Sequence, residues 1–290
     1  MRKVFSRFIH SLPGISNLAI QLKFKNEIQL IKGLHNTSCE KSSIIHFSIN
    51  KSATQYVKKI LTSCSVENGL TPIHLHGYAF QSHFPYLDQI SKDEMKKYSH
   101  LFKPNGYLYS VFGGMIDGIE ELHKYKIILM IRDPRDILVS KYFSVAYSRS
   151  TEYENEEKNQ YFMERRSQVK KMTLDEFVLS ESDSLLSVFS RYERVLVSKY
   201  SNMYLSKYEE MVSEFPLWLS QILEFCELEI SKNLFNKLIK ENVKLIPDNE
   251  NIERHIRRAK PGDYNEKLKR ETIDILNQSF ESVLQTYNYI

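Results

Sequence analysis

The chain has 290 residues, of which 42% are hydrophobic and 26% are charged. This composition supplies enough apolar material for a packed core and excludes an intrinsically disordered chain. Lys and Arg number 40 and Asp and Glu number 36, which gives a net charge of +4. So small a basic excess is typical of a solvated surface and does not indicate a nucleic-acid partner, although a local anion site is compatible with it.

Two further features limit the kind of protein. The three cysteines, Cys39, Cys64 and Cys226, form no Cys-x-x-Cys pair. We therefore expect no zinc site or dithiol centre, and the odd number favours reduced thiols in a cytoplasmic protein. Polar residues, Pro and Gly interrupt the apolar stretch after the basic residues 1–8, so we predict no integral membrane segment.

The apolar patterning predicts strands that alternate with helices. Residues 1–42 are weakly patterned and predict an N-terminal lead-in of one or two helices, whereas residues 43–290 contain no Pro/Gly/Ser linker and predict one domain. In chain order, the predicted elements are a strand at Ser43–Ile49, a helix at Thr54–Cys64, strands at Leu70–Tyr78, Gly106–Phe112 and Tyr125–Ile131, a helix from Asp133 to about Tyr147, a strand at Met203–Ser206, and helices at Phe215–Cys226 and Lys267–Tyr287. This alternation predicts an α/β fold with a central parallel sheet flanked by helices.

Two segments have a distinct local character. Asp133 suits the N-cap of the helix that follows the strongest strand, Pro134 suits its first position and Asp136 suits its first turn. The densely charged residues 150–171 are consistent with an exposed helix or loop, and a mobile lid is the alternative.

The loop after the first strand has the composition of an anion site. Small residues lead directly into a helix, whose N-terminus directs backbone N–H groups and partial positive charge at one point. Lys51 adds a full charge, and Ser52 and Thr54 add hydroxyl donors. The glycines of a Walker A loop are absent, and a surface lysine is the alternative interpretation of Lys51.

A second candidate anion site follows the strongest strand. Arg132 lies at the carboxyl end of this strand, where open α/β sheets bind ligands, and Ser140 follows on the next helix. A guanidinium and a hydroxyl could hold one phosphate there. The alternative is a structural ion pair between Arg132 and Asp133 or Asp136.

At this point four segments, in order, resemble the sulfotransferases that use 3′-phosphoadenosine 5′-phosphosulfate (PAPS). Ile-Asn-Lys-Ser-Ala-Thr-Gln-Tyr at 49–56 is similar to the 5′-phosphosulfate loop, and Arg-Asp-Pro-Arg-Asp-Ile-Leu-Val-Ser at 132–140 is similar to the 3′-phosphate motif. The stretch Tyr-Glu-Glu-Met at 208–211 resembles the family's Tyr-Glu-Asp-Met stretch, which carries a tyrosine that contacts the adenine. The segment Arg-Arg-Ala-Lys-Pro-Gly-Asp-Tyr at 257–264 resembles the family's C-terminal loop, Arg-Lys-Gly-x-x-Gly-Asp-Trp. The resemblance implies a P-loop-like sulfotransferase fold over residues 43–290.

The resemblance also implies roles for individual residues. It assigns Lys51 to the bridging oxygen between the sulfate and the 5′-phosphate, and Tyr208 to the adenine. The cradle of the 5′-phosphate would comprise Ser52, Ala53, Thr54 and Gln55, with Tyr56 stacked on the adenine. The 3′-phosphate would be held by Arg132, Ser140 and Arg257, with Arg258 and Gly262 lining the same pocket. The implied cofactor is PAPS, with the bisphosphate PAP as product, and no metal is expected.

The chain departs from the family pattern at three positions within these four segments. Ala53 and Ala259 stand where the family has Gly, and Gln55 stands where it has Thr. An alanine limits the backbone if its position needs a positive φ. These departures keep open a non-catalytic module that binds PAP or PAPS, and a P-loop nucleotide kinase or NTPase is a further alternative.

The general base and the acceptor are the least determined parts of the assignment. Cytosolic members of the family carry a histidine on the strand that precedes the Arg motif, whereas residues 107–114 contain none. We predict His76 as the base, because it lies toward the carboxyl end of a predicted strand and imidazole titrates near neutral pH. A structural histidine is the alternative. The acceptor, a small molecule or glycan with a hydroxyl or amine, and the oligomeric state are left open.

Overall fold

A computed structural model of the chain describes residues 13–148, 156–245, 247, 249–254 and 256–290. The basic residues 1–8 and the start of the charged segment 150–171 therefore lie outside the described residues. The chain divides into two compact units. The first unit is Met1–Phe47 with Gln55–Ile128, and the second unit is Ser48–Thr54 with Leu129–Ile290.

The elements alternate as an α/β fold requires. Up to the fourth strand they are α1 (Pro13–Lys23), α2 (Lys25–Ile31), β1 (Ile44–Ser48), α3 (Thr54–Glu67), β2 (Thr71–Ile73), α4 (Leu75–Gln81), α5 (Lys92–Met95), β3 (Tyr107–Phe112) and β4 (Lys126–Ile131). The remainder are α6 (Pro134–Phe143), α7 (Glu156–Lys171), α8 (Leu174–Tyr192), β5 (Met203–Lys207), α9 (Tyr208–Ser213), α10 (Phe215–Phe225), α11 (Lys232–Leu245), α12 (Asp263–Lys267), α13 (Arg270–Ser279) and α14 (Glu281–Thr286). Among the described residues, no helix combines the length and hydropathy needed to cross a bilayer.

The strands form one five-stranded sheet in the order β2-β3-β1-β4-β5. Both β1 and β2 pair with β3 in parallel, with Ile44 opposite Leu108 and Thr71 opposite Tyr107. Every residue of β1 and β3 is buried, as expected for parallel strands that are covered on both faces. The predicted α/β fold with a central parallel sheet is confirmed.

Each unit has its own apolar core. In the first unit, α3 buries the stripe Val57, Ile60, Leu61 and Cys64, whose spacing is that of one helix face. In the second unit, α10 buries Trp218, and the indole donates a 2.7 Å hydrogen bond to Ser206 Oγ of β5. The buried indole N–H is thus satisfied, as burial of a polar group requires.

Two predicted elements are wrong. The strand predicted at Leu70–Tyr78 is only the three residues of β2, and the chain then turns into α4, which buries Leu75 and Ala79 at helical spacing. The single helix predicted at Lys267–Tyr287 is divided among the end of α12, α13 and α14, with breaks at Leu268 and Phe280. The helices α8 and α11 were not predicted at all.

Candidate functional site

The loop between β1 and α3 folds as a tight turn within the second unit. The Ile49 amide donates to the Met130 carbonyl at 2.9 Å, and the Ser52 amide donates to the Ile49 carbonyl at 3.2 Å. Lys51 and Ala53 both have left-handed backbones, with φ of 74° and 56°, whereas Ser52 between them does not.

The hydroxyls of this loop differ in their surroundings. Thr54 Oγ1 and Ser48 Oγ share a 2.8 Å hydrogen bond, so the Thr54 hydroxyl is engaged within the loop. Ser52 is fully buried, and its Oγ has no hydrogen-bond partner among the described residues. A buried hydroxyl left unsatisfied costs about 1–3 kcal/mol, so this atom is available to donate to a ligand.

Arg132 follows β4 directly and is held from several sides. It is 6% exposed, its Nη2 donates to Asp136 Oδ2 at 3.2 Å, and its Nη1 donates to the Lys51 carbonyl at 3.3 Å. The guanidinium carbon lies 4.1 Å from the ring centroid of Tyr208. Arg132 Nε is buried and has no hydrogen-bond partner in the described part of the chain, so this side chain, like Ser52, keeps a donor for a ligand.

The charge of Arg132 is secure in this environment. Burial alone would lower its pKa, but the Tyr208 hydroxyl and the carboxylates of Asp136 and Glu209 raise the pKa above its ordinary value. The structure therefore contains the ion pair with Asp136, which is one of the two interpretations of Arg132, whereas the anion site stays a prediction. Asp133 does not pair with Arg132. It caps α6 as predicted, and it pairs with Arg135 at 2.6 Å.

Asp136 connects the Arg132 region to a distant segment of the chain. Its Oδ2 accepts from the Gly262 amide at 2.8 Å and its Oδ1 accepts from the Tyr264 amide at 3.0 Å. The same carboxylate pairs with Arg132, and it is 1% exposed. Asp136 therefore fastens the segment 257–264 beside the start of α6. The sequence predicts Asp136 only as a residue of the first turn of α6 and does not indicate its hydrogen bonds to Gly262 and Tyr264.

The two arginines of the 257–264 segment share one buried carboxylate. Arg257 and Arg258 both pair with Asp263, which is 1% exposed, and Arg258 Nη1 lies 2.8 Å from Asp263 Oδ1. Arg257 also pairs with Glu250, and its guanidinium carbon lies 4.2 Å from the Phe143 ring centroid. Gly262 has a φ of 77°, so the family glycine at this position stands where the backbone is left-handed.

The structure thus brings together a large part of the predicted set within the second unit. Hydrogen bonds and contacts join the Lys51 loop, Arg132, Tyr208 and the 257–264 segment. Ser140 is half-buried on α6, and no described contact joins it to this group. The first-unit residues Gln55 and Tyr56 lie in the first turn of α3, and Gln55 is exposed whereas Tyr56 is half-buried.

The histidines of the first unit have different environments. His76 lies on α4 rather than on a strand, and its Nδ1 is 3.7 Å from Asp88 Oδ1. His46 and His74 both bond to Ser110, and burial lowers their pKa to about 3 and about 4, respectively. Both are therefore neutral near pH 7, whatever their role.

The carboxylates that organise the arginines were missed by sequence reasoning. Asp263 and Glu250 pair with Arg257, and Glu209 accepts from the Asp133 amide at 3.0 Å. Burial raises the pKa of Glu209, although the hydrogen bond from Asp133 lowers it. Within the described residues, no group of three or more His, Cys, Asp or Glu side chains could hold a metal ion.

Comparisons with known proteins agree with this architecture. Residues 41–288 match a protein family described as "Sulfotransferase domain". No curated protein sequence matches the chain.

Solved structures resemble the chain at low sequence identity. A retinol dehydratase in complex with androsterone and the inactive cofactor PAP is 14% identical, with 90% of this chain and 85% of that chain covered and a TM-score of 0.54. Mouse sulfotransferase SULT7A1 complexed with PAP is 16% identical, with 88% and 89% covered and a TM-score of 0.49. Sulfotransferase STF9 from Mycobacterium avium is 10% identical, with 92% and 81% covered and a TM-score of 0.48. Because the family match spans most of the sequence, the chain belongs to the sulfotransferase family.

Proposed function

We propose that the chain is a PAPS-dependent sulfotransferase, which moves a sulfuryl group to a hydroxyl or amine of a small-molecule or glycan acceptor. One observation carries the proposal. The Lys51 loop and Arg132 are joined by a hydrogen bond, and each has a buried donor atom without a partner, Ser52 Oγ and Arg132 Nε. A buried hydroxyl and a buried guanidinium nitrogen that both keep an unused donor suit a ligand with two phosphate groups.

The proposed contacts follow the family resemblance. The 5′-phosphosulfate end is assigned to Lys51, Ser52, Ala53, Thr54 and Gln55, and the adenine to Tyr56 and Tyr208. The 3′-phosphate is assigned to Arg132, Ser140 and Arg257, with Arg258 and Gly262 beside it. The Arg257 guanidinium pairs with Asp263 and Glu250 and lies over the Phe143 ring, so its contact with the 3′-phosphate is proposed from the resemblance alone. The retinol dehydratase that this fold resembles is itself a PAP complex.

In the proposed reaction the protein positions the reactants and stabilises charge, and it forms no covalent bond to them. When bound, PAPS supplies a sulfuryl group already activated as a mixed anhydride. Lys51 would neutralise the charge that develops on the leaving phosphate oxygen, and the Ser52 hydroxyl would donate to the same end. His76 would accept the proton of the attacking acceptor. No metal is required by this scheme.

We also propose residues 43–290 as the catalytic domain, with residues 1–42 as a lead-in, in a cytoplasmic protein.

The first experiment tests the nucleotide. PAP should raise the melting temperature of the protein, because a ligand that binds only the folded form stabilises it, whereas ATP with Mg²⁺ should not. Lys51→Ala should weaken the PAP response. Lys237→Ala should leave it unchanged, since Lys237 is an exposed lysine on α11 of the second unit. Stabilisation by ATP with Mg²⁺ alone would favour a nucleotide kinase or NTPase and overturn the proposal.

The second experiment tests transfer. Labelled PAPS should pass its sulfuryl group to an acceptor in a screen of glycans, lipids and small hydroxylated or aminated compounds. Lys51→Ala should lower kcat about 10²- to 10³-fold, as loss of a transition-state donor does elsewhere. Residues 107–114 lack the family histidine, and this observation favours the second candidate, a module that binds PAP without chemistry. Binding of PAP together with no transfer across the screen would support that candidate.

A further inference from the structure

The first unit holds an imidazole–carboxylate pair formed by His76 and Asp88. His76 Nδ1 lies 3.7 Å from Asp88 Oδ1, and the two side chains are 36% and 8% exposed. Although part of the imidazole is exposed, Nδ1 itself is buried and has no hydrogen-bond partner among the described residues. The ring therefore turns one nitrogen toward a buried carboxylate while it stays partly open to its surroundings.

The space for this carboxylate is made by a glycine at the end of β3. A Cβ on Gly114 would lie 2.6 Å from Asp88 Oδ2, so a side chain there would displace the carboxylate. Gly114 follows the last residue of β3, Phe112, by two positions. The carboxyl ends of parallel strands are where open α/β sheets carry their chemistry. Tyr86 lies beside the pair, with its ring centroid 4.9 Å from that of His76 in an edge-on contact.

We propose that Asp88 is a positioning residue for His76, and that Gly114 leaves open the space that the Asp88 carboxylate occupies. This inference rests on the proposed function. Asp88 holds the proton on Nδ1, which leaves the lone pair of Nε2 to accept a proton from the acceptor. As the acceptor oxygen or nitrogen bonds to sulfur, its proton passes to Nε2. The bond between sulfur and the bridging oxygen breaks, and its electron pair goes to the phosphate oxygen that Lys51 neutralises. Asp88 then pairs with the imidazolium that results.

The geometry is compatible with this role. A distance of 3.7 Å exceeds a hydrogen bond. Catalytic hydrogen bonds are often this long before substrate binds and shorten in the reactive complex. The burial of Asp88 makes its interaction with an imidazolium stronger than that of an exposed pair.

The first test measures the tautomer of His76 and does not depend on activity. In ¹⁵N-edited spectra of the full chain at a pH where His76 is neutral, the wild type should carry the proton on Nδ1. Asp88→Ala should move it predominantly to Nε2. Asp93→Ala, at an aspartate that is 88% exposed in the same unit, should leave the spectrum of His76 unchanged. A wild-type His76 with its proton on Nε2, or a spectrum that does not respond to Asp88→Ala, would overturn the pairing.

The second test measures turnover of PAPS. His76→Ala should lower kcat about 10²-fold or more, which is the contribution of a general base, while the PAP-induced rise in melting temperature stays the same. Asp88→Ala should lower kcat at least tenfold, with an unchanged KM for PAPS and no further loss when His76→Ala is already present. Gly114→Ala should act in the same direction. Full kcat in Asp88→Ala, or losses that multiply in the double variant, would overturn the positioning role.

Failure of this inference differs from failure of the proposed function. A wild-type protein that neither binds PAP nor transfers sulfonate would overturn both the function and the catalytic use of the pair. A wild-type protein that transfers sulfonate, with Asp88→Ala equally active, would overturn the positioning role alone.

Discussion

Two alanines hold left-handed backbones at the candidate site. Ala53 has a φ of 56° and Ala259 has a φ of 52°, and both stand where the resembling family has glycine. A left-handed backbone costs a residue with a Cβ roughly 1–2 kcal/mol. The turn at Ala53 is fixed by the hydrogen bonds of Ile49 and Ser52, so the fold holds this residue in a conformation that it does not favour.

Glycine at position 53 should stabilise the protein. Ala53→Gly relieves the left-handed strain and loses part of that gain to the greater freedom of the unfolded chain. We expect the free energy of unfolding to rise by roughly 0.5–1 kcal/mol, measured by urea denaturation. Ala79→Gly is the matched control, because Ala79 lies inside α4 and should lose about 1 kcal/mol. A decrease of stability in Ala53→Gly would contradict the argument.

At the level of residues, the motifs identified the cations but not the anions that hold them. Lys51 and Arg132 stand out because positive charge beside a strand end or in a loop indicates an anion site, whereas Arg257 is implied only by the family resemblance. Asp136 meets Gly262 across 126 positions of sequence, and no local pattern encodes such a contact. Arg132 illustrates the same limit, since its spacing left an ion pair and an anion site equally open.

At the level of elements, Asp136 ties α6 to the segment before α12. Its two oxygens accept from Arg132, Gly262 and Tyr264, and an asparagine offers only one oxygen as an acceptor. Asp136→Asn should therefore lower the free energy of unfolding by about 3 kcal/mol, because it breaks a buried ion pair and strands a backbone donor. It should also weaken PAP binding at least tenfold, measured by calorimetry.

The control for this variant is an exposed aspartate of the same unit. Asp274 pairs with Arg270 at 3.3 Å and is 56% exposed, so Asp274→Asn should change stability by less than about 1 kcal/mol. Unchanged stability and PAP affinity in Asp136→Asn would show that the segment 257–264 is held by other contacts.

Elements that are dictated locally were predicted well, and the others were not. The apolar run of β4 and the caps of α6 are short-range features, and both predictions are confirmed. The prediction of one strand at Leu70–Tyr78 is wrong because this segment contains the short strand β2 followed by the start of the helix α4. Pro72 suits the edge position of β2, since it cannot donate to a ladder. The His74 amide then donates to Glu27 of α2 at 2.6 Å instead of continuing a strand, and this partner lies 47 positions away.

For the molecule as a whole, two buried histidines contribute to the response to acid. Their ordinary pKa is 6.5, and burial lowers it to about 3 for His46 and about 4 for His74. Between pH 6.5 and about 4 the unfolded chain therefore binds protons that the folded chain does not. This contribution to stability is complete above pH 6.5 and is lost as the pH falls, by up to about 1.4 kcal/mol per pH unit for each histidine. Burial raises the pKa of Glu27, so the folded chain holds this proton more tightly than the unfolded chain does. The contribution of Glu27 to stability is therefore lost as the pH rises, not as it falls.

A substitution at His74 isolates one of these protons from the other groups. His74→Asn keeps a donor for the Ser110 carbonyl, to which His74 Nδ1 donates, but removes the titrating ring. The slope of unfolding free energy against pH, measured by urea denaturation from pH 6.5 to 4.5, should fall by up to about 1.4 kcal/mol per pH unit relative to the wild type. His123→Asn, at an exposed histidine of the same unit, should retain the wild-type slope. Equal slopes in His74→Asn and the wild type would show that His74 takes up its proton without loss of the fold.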